Sequence, residues 1–273
     1  MMHMDAVIVA FLAAIGLAFG SFVGALVWRL HEHKDFVRGR SECEYCHHRL
    51  AAVDLVPVLS WLMLKGKCRY CHKPIGWNAP LLELSVGALF VLSYIYWPLP
   101  FTSWQSDVSF VLWLVYLVGL AALFVYDVRY MLLPNVILFP LIVLSVVESA
   151  VRYTALSGVN LPGYLGDASM GVMTLAGLYW VLYTFSRGKW VGYGDVKLGI
   201  FMGIALGFRR SLLALFLANI LGFIVVLPGL LAGKLTRRSR VPFGPFLIAA
   251  FVIAFLFGDT LIEWYVKFIL LQM

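Results

Sequence analysis

Two aspartates carry the chemistry this chain could do. Asp195 stands in Val191-Gly192-Tyr193-Gly194-Asp195-Val196-Lys197, where two glycines lead into an apolar segment. Asp127 closes another apolar run, Phe110–Tyr126. Carboxylates that meet can share a proton, and their titrations then belong to the pair. One acts as general base on a water, the other as acid toward a carbonyl oxygen. That division of labour hydrolyses a peptide. Negative charge is favoured at a helix start and disfavoured at a helix end, so Asp195 is expected to be the base and Asp127 the acid. Gly192 and Gly194 let the backbone take conformations closed to other residues and let a substrate chain come near. A glycine-rich loop can offer its backbone to an unwound strand. The competing reading makes each aspartate a solvated helix end, although ionisable groups at membrane helices are functional candidates by default.

A second constellation is Cys43-Glu44-Tyr45-Cys46 with Cys68-Arg69-Tyr70-Cys71, which holds all four cysteines. Two C-x-x-C knuckles supply four soft thiolates for a tetrahedral zinc, at a spacing slightly above that of a zinc ribbon. Cys43, Cys46, Cys68 and Cys71 are therefore the expected ligands of a structural zinc. A polar stretch of this size has little core of its own, and a metal would stabilise it. His47 and His72 follow the knuckles, so each also reads C-x-x-C-H, the pattern of c-type haem attachment. A membrane-anchored haem electron carrier is the alternative function, and it needs this loop outside the cell. With zinc, His33, His47, His48 and His72 are ordinary surface residues.

The elements that must position these groups are apolar. The 273 residues are 62% hydrophobic and 13% charged, with a mean hydropathy of +0.91. A soluble domain carries about 25% charged residues. Runs near the roughly 20 residues that a helix needs to cross a bilayer recur about eight times. They are 7–27, 81–97, 110–126, 134–151, 168–185, a short 196–208, 211–231 and 245–261. The expected fold is an all-α polytopic membrane protein with a small cytoplasmic zinc-binding domain between its first two helices. Its parts are a first transmembrane helix (1–30), the four-cysteine domain (31–79) and the remaining helices (80–273).

Charge orients the chain. Of its 21 Lys and Arg, all but Arg152, Arg209, Arg210 and Lys267 fall on one set of loops. The positive-inside bias then puts both termini outside, and the cysteine loop and both aspartates on the cytoplasmic side. The +7 net charge is thereby topology rather than a nucleic-acid footprint. Met1–Asp5 lacks the basic residues of a cleaved signal. Gly16, Gly20 and Gly24 form a stripe for close helix packing. Glu83 is a third carboxylate candidate or a helix-start acid favoured by the dipole. Pro242 and Gly244, in Val241-Pro242-Phe243-Gly244-Pro245-Phe246, make a stiff turn that starts the last span or shapes the site.

The chain resembles the type IV prepilin peptidases, membrane aspartyl proteases of the G-x-G-D class. The likeness covers nearly the whole length. It rests on Gly20-Ser21-Phe22 through Arg29-Leu30, the paired C-x-x-C units, and Pro57 through Cys68. It rests also on Asp127 with Pro134-Asn135, Gly192 through Lys197, and Val241 through Phe246. The resemblance implies Asp127 and Asp195 as the catalytic pair; Gly192, Gly194, Lys197, Pro242, Gly244 and Glu83 are the expected substrate-binding or loop-shaping residues. It implies a bacterial inner-membrane enzyme that removes the short basic leader of prepilins or pseudopilins after a glycine, serving a type IV pilus or type II secretion. It further implies N-methylation of the new terminus from S-adenosylmethionine. The opening motif usually has Asn where this chain has Gly24, a loss that bears on methylation more than on proteolysis. A transporter is the remaining class; it would want internal repeats and broken helices at mid-membrane, whereas both aspartates lie at an edge.

Overall fold

The computed structural model describes residues 2–35, 39–155, 160–234, 236 and 241–270. Most of the expected basic turn 234–240 lies outside the described residues. The architecture is helical, and among the described residues β-structure is limited to two isolated bridges. In chain order come α1 (Met2–His31), the short α2 (Leu59–Met63), α3 (Asn78–Ile95), α4 (Trp104–Tyr130) and α5 (Asn135–Ala155). Next is one continuous rod: α6 (Leu161–Val172), a π turn (Met173–Gly177) and α7 (Leu178–Ser186). The chain closes with α8 (Tyr193–Leu231) and α9 (Gly244–Leu270). Seven of these helical rods are long and apolar enough to cross a membrane. Phe11, Val143, Phe216 and Phe223 stand exposed on them, as side chains facing lipid do.

The chain divides into two compact units. One runs to Ile95 and includes Leu120–Ala122; the other holds Tyr96–Gly119 and the chain from Leu123 on. In the first, α1 and α3 pack antiparallel through the glycine stripe. A Cβ on Gly16 would stand 2.7 Å from the Gly87 backbone, and one on Gly20 would stand 2.5 Å from Glu83 Cα. Small residues let helices approach this closely. Gly24 is different, because a Cβ there would only touch Leu82 at 3.8 Å.

In the second unit an aromatic core is built on Trp113, which stacks on Phe255 at 4.1 Å between centroids. Tyr116 meets Phe201 edge-on at 5.2 Å, the offset geometry aromatic quadrupoles prefer.

The runs 196–208 and 211–231 join in α8, and the junction is a reversal. Along residues 193–206 the partner is the α6–α7 rod, antiparallel. Gly199 abuts Ala176, Gly203 abuts Val172, and Gly207 abuts Asp167. Along 208–231 the partner is α9, also antiparallel. Gly222 faces Phe246, and Gly258 faces Arg210. Gly194 and Gly244 share one neighbour, Leu133, so residues 194 and 222 both lie toward the start of α9. Residues 207 and 210 lie toward Gly258, about 20 Å further along at 1.5 Å per residue. The two limbs of α8 therefore count as two candidate membrane passes, and among the described residues the candidate passes number eight.

One glycine makes the turn. Gly207 has φ 70° and ψ −176°, a region open essentially to glycine alone. The groups exposed by the break have partners. Arg152 Nη2 donates to Ala205 O at 2.6 Å, closing the first limb. Asp167 Oδ1 accepts the Phe208 N–H at 3.1 Å, capping the second limb as a carboxylate at a helix start should. Glu148, fully buried, balances Arg152 at 2.9 Å, and Arg210 pairs with Asp259.

Candidate active site and four-cysteine cluster

Asp127 sits one turn inside the C-terminus of α4, which continues past the expected end to Tyr130. Met131 then takes a left-handed conformation (φ 54°) and returns its N–H to Asp127 O at 2.8 Å. The Asp127 side chain is buried, and its Oδ2 accepts the Gly244 N–H at 3.1 Å. This is the tightest seat in the site. A Cβ on Gly244 would stand 2.6 Å from that oxygen, so only glycine lets the backbone amide reach the carboxylate.

Asp195 is the third residue of α8 and is also buried. Its Oδ2 accepts the Gly192 N–H at 3.1 Å, and its own N–H returns to Gly192 O. This is the reciprocal cap of a helix start. Leu133 joins the two motifs. A Cβ on Gly194 would meet it at 3.0 Å, and a Cβ on Gly244 would meet it at 3.5 Å. The structure thus brings together Asp127, Asp195, Gly192, Gly194 and Gly244. Each carboxylate is anchored by one backbone amide through Oδ2.

Lys197 donates to Asn135 Oδ1 at 2.8 Å and lies over the rings of Tyr193 and Phe139. It ties the start of α8 to the start of α5. Pro242 precedes Phe243, whose ring packs on Tyr179 at 5.9 Å. Glu83 belongs to the first unit. It is buried in the second turn of α3, where Oε2 accepts the Val58 N–H at 2.7 Å. Val58 has φ 61°, unusual for a β-branched residue. This contact, rather than the helix dipole, occupies the Glu83 carboxylate, and it fixes the entry to α2.

The four cysteines converge. Their Sγ atoms all lie within 4.8 Å of one another, with Cys43 and Cys71 at 3.8 Å. Tetrahedral thiolates about 2.3 Å from a metal would stand about 3.8 Å apart. One cluster drawing on both pairs could hold a metal ion, and separate haem attachments would need the pairs apart. The thiols also resist joint ionisation. Burial raises Cys43, but the N–H groups of Cys46 and Tyr45 outweigh it and bring the thiol down to about 7. The Lys73 N–H favours a Cys71 thiolate, yet burial and the neighbouring sulfurs push it up to about 11. A cation among them removes that conflict.

The knuckles are a twofold repeat that spacing alone did not reveal. Bridges Glu42–Arg49 and Lys67–Pro74 close them. Cys43 N–H goes to His48 O at 3.0 Å, and Cys68 N–H goes to Lys73 O at 2.9 Å. His47 and His72 both turn left-handed. Each knuckle's tyrosine packs on the other knuckle: Tyr70 on His48 at 3.7 Å, Tyr45 under Lys73 at 4.8 Å. His33, His47, His48 and His72 are exposed. Asp54 sits outside the cluster. Burial raises its carboxyl, but hydrogen bonds from Arg69 (2.6 Å), Ala51 and Tyr70 hold it below the usual carboxylate range.

Sequence reasoning missed Leu133 and Tyr179. Both stand in apolar surroundings where their types read as core. The signal for Leu133 was its place between Asp127 and the Pro134 that begins the next helix.

Comparisons with known proteins follow the same division. Residues 14–97 match the family described as Bacterial Peptidase A24 N-terminal domain, and residues 114–227 match the Type IV leader peptidase family. A prepilin leader peptidase/N-methyltransferase of Stutzerimonas stutzeri is 32% identical over 84% of this chain and 75% of its own length. One from Bacillus subtilis (strain 168) is 31% identical over 92% of this chain and 95% of its own length. One from Pseudomonas aeruginosa is 29% identical over 93% and 92%. No solved structure matches. With eight apolar passes, two aspartates at one end and four thiols in the loop between the first two, the chain belongs to the type IV leader peptidase family of multi-pass membrane proteins.

Proposed function

We propose that this chain is a membrane aspartyl endopeptidase that removes the leader of type IV prepilins or pseudopilins, with Asp127 and Asp195 as its catalytic pair. The observation that carries the reading is that two buried carboxylates, each held by a glycine N–H, stand in motifs whose glycines, Gly194 and Gly244, share Leu133 as a neighbour. With Oδ2 of each anchored, Oδ1 of each is left for water and substrate. One aspartate takes a proton from water as the hydroxide adds to the scissile carbonyl carbon. The other gives a proton to the carbonyl oxygen. The diol then collapses: the first aspartate returns its proton to the leaving nitrogen, the second takes one from a diol hydroxyl, and the C–N bond breaks, yielding a carboxylic acid on the leader, which ionises, and a free amine on the pilin. The leader lies extended across the start of α8, beside the two carboxylates.

The same reading places the loop and the aspartates on the cytoplasmic side and both termini outside, as the Lys and Arg distribution favours. The four-cysteine module holds structural zinc, which would supply folding energy and no catalysis. The new terminus is N-methylated, with S-adenosylmethionine as the methyl donor; the relatives are named as N-methyltransferases as well as leader peptidases. Mass spectrometry of a co-expressed prepilin tests both reactions, because leader loss and a methyl group read separately. An intact prepilin beside the inserted parent chain would overturn the peptidase reading.

A further inference from the structure

The rod α6–π turn–α7 faces the first limb of α8 in a regular ladder. Asp167 meets Gly207, Gly171 meets Gly203, and Leu175–Ala176 meets Gly199. Each rung advances four residues on one helix and retreats four on the other. An α-helix turning every 3.6 residues drifts off such a spacing. The wide π turn at Met173–Gly177 keeps the stripe facing α8, and single π turns are frequent at functional sites. Continued by one more step of four, that register runs toward Tyr179 on one helix and Asp195 on the other, and beyond it the Tyr183 ring meets Tyr193 at 5.3 Å.

Tyr179 is 3% exposed and its hydroxyl has no hydrogen-bond partner. A buried, unpaired hydroxyl costs about 1–3 kcal/mol, and phenylalanine would fill the same volume without that cost. The ring packs on Phe243 at 5.9 Å, the residue before the glycine whose N–H holds Asp127. The ring thus lies beside the glycine turn that holds Asp127, and its hydroxyl is unspent.

We propose that Tyr179 is a third catalytic residue: its hydroxyl donates a hydrogen bond to the scissile carbonyl oxygen as that oxygen becomes tetrahedral. This rests on the peptidase reading above. Tyr179 transfers no proton; it stabilises developing charge in a site sheltered from water, where such a donor is worth about 10²–10³ in rate.

The test compares the parent, Tyr179→Phe, Tyr183→Phe and Asp195→Asn as full-length chains in nanodiscs. The substrate is a peptide with a basic leader, a glycine and an apolar helix. Tyr179→Phe is expected to lower kcat about 100-fold, leave KM within about twofold, and leave the thermal midpoint unchanged or higher. Tyr183→Phe should match the parent. Unchanged kcat, a rise in KM alone, or a midpoint that falls with activity each overturn the proposal. If Tyr179→Phe does not fold, 3,5-difluorotyrosine at position 179 keeps the shape. It should bring the alkaline limb of kcat to lower pH, because fluorine acidifies the phenol, and an unmoved limb overturns the proposal. A parent that does not cleave sinks the peptidase reading itself. A parent that cleaves, with Asp195→Asn inert and Tyr179→Phe at full rate, sinks only Tyr179.

Discussion

The aspartate site and the cysteine cluster solve opposite problems of burying polar groups. The aspartates are positioned by helices that would pack in any case. Each is held by one backbone amide, at Gly244 and Gly192, and at Gly244 the missing side chain clears the approach. The cysteines sit in a loop with few buried side chains, and two copies of one knuckle brace each other through Tyr45 and Tyr70. The first site is precise because its frame is rigid. The second brings four thiols close enough to hold one metal ion, with little apolar core beside them. Disturbing one should therefore be a kinetic event, and disturbing the other a folding event.

The sharpest break of that comparison is at the carboxylates. Asp127→Asn and Asp195→Asn should each lower cleavage by at least about 10³-fold, since proton transfer is lost, while the chain inserts normally. Cleavage near the parent rate in either variant would remove that residue from the pair. A smaller effect is expected from Gly244→Ala. Its methyl would displace the Asp127 carboxylate, and misplacement of about 1 Å costs about 100-fold. Gly194→Ala meets only the yielding Leu133 side chain and should cost less, and kcat on one peptide ranks the two.

The cysteine region should respond differently. Elemental analysis of the parent should find about one zinc per chain, and Cys43→Ser with Cys68→Ser should remove it. Limited proteolysis should then open the segment 31–79 while the helices stay protected. Methylation of a pilin substrate should fall more than cleavage. If both fall together, the two regions are one functional unit and the contrast fails. The smallest effect is expected at Gly24→Asn. The structure has room for the side chain beside Leu82, so stability should not change, and methylation, read by mass spectrometry, should rise.

How much was legible in the sequence follows from the same contrast. Ligand spacing announces itself, so the cysteines could be named without a structure, although not their twofold bracing. Asp127 and Asp195 were visible because a carboxylate beside an apolar run is costly and rare. Their connection was not, since it passes through Leu133 and through a backbone amide, and neither leaves a compositional trace. The eight passes could be counted from apolar runs. That the sixth and seventh join in a single residue could not, because Gly207 differs from other glycines only in its backbone angles. Tyr179 was hidden for a related reason: an aromatic in an apolar run looks like packing until its hydroxyl is found without a partner.

The reversal at Gly207 has a consequence for biogenesis. The first limb of α8, residues 193–206, spans about 20 Å, well short of the roughly 30 Å hydrocarbon core. It would partition poorly into a bilayer as a lone segment. The second limb is long enough. With one glycine between them the limbs leave the translocon as a hairpin, and the longer carries the shorter. Asp195 therefore enters the membrane region on a segment delivered from behind, and it reaches Asp127 after the chain beyond Gly207 has been made.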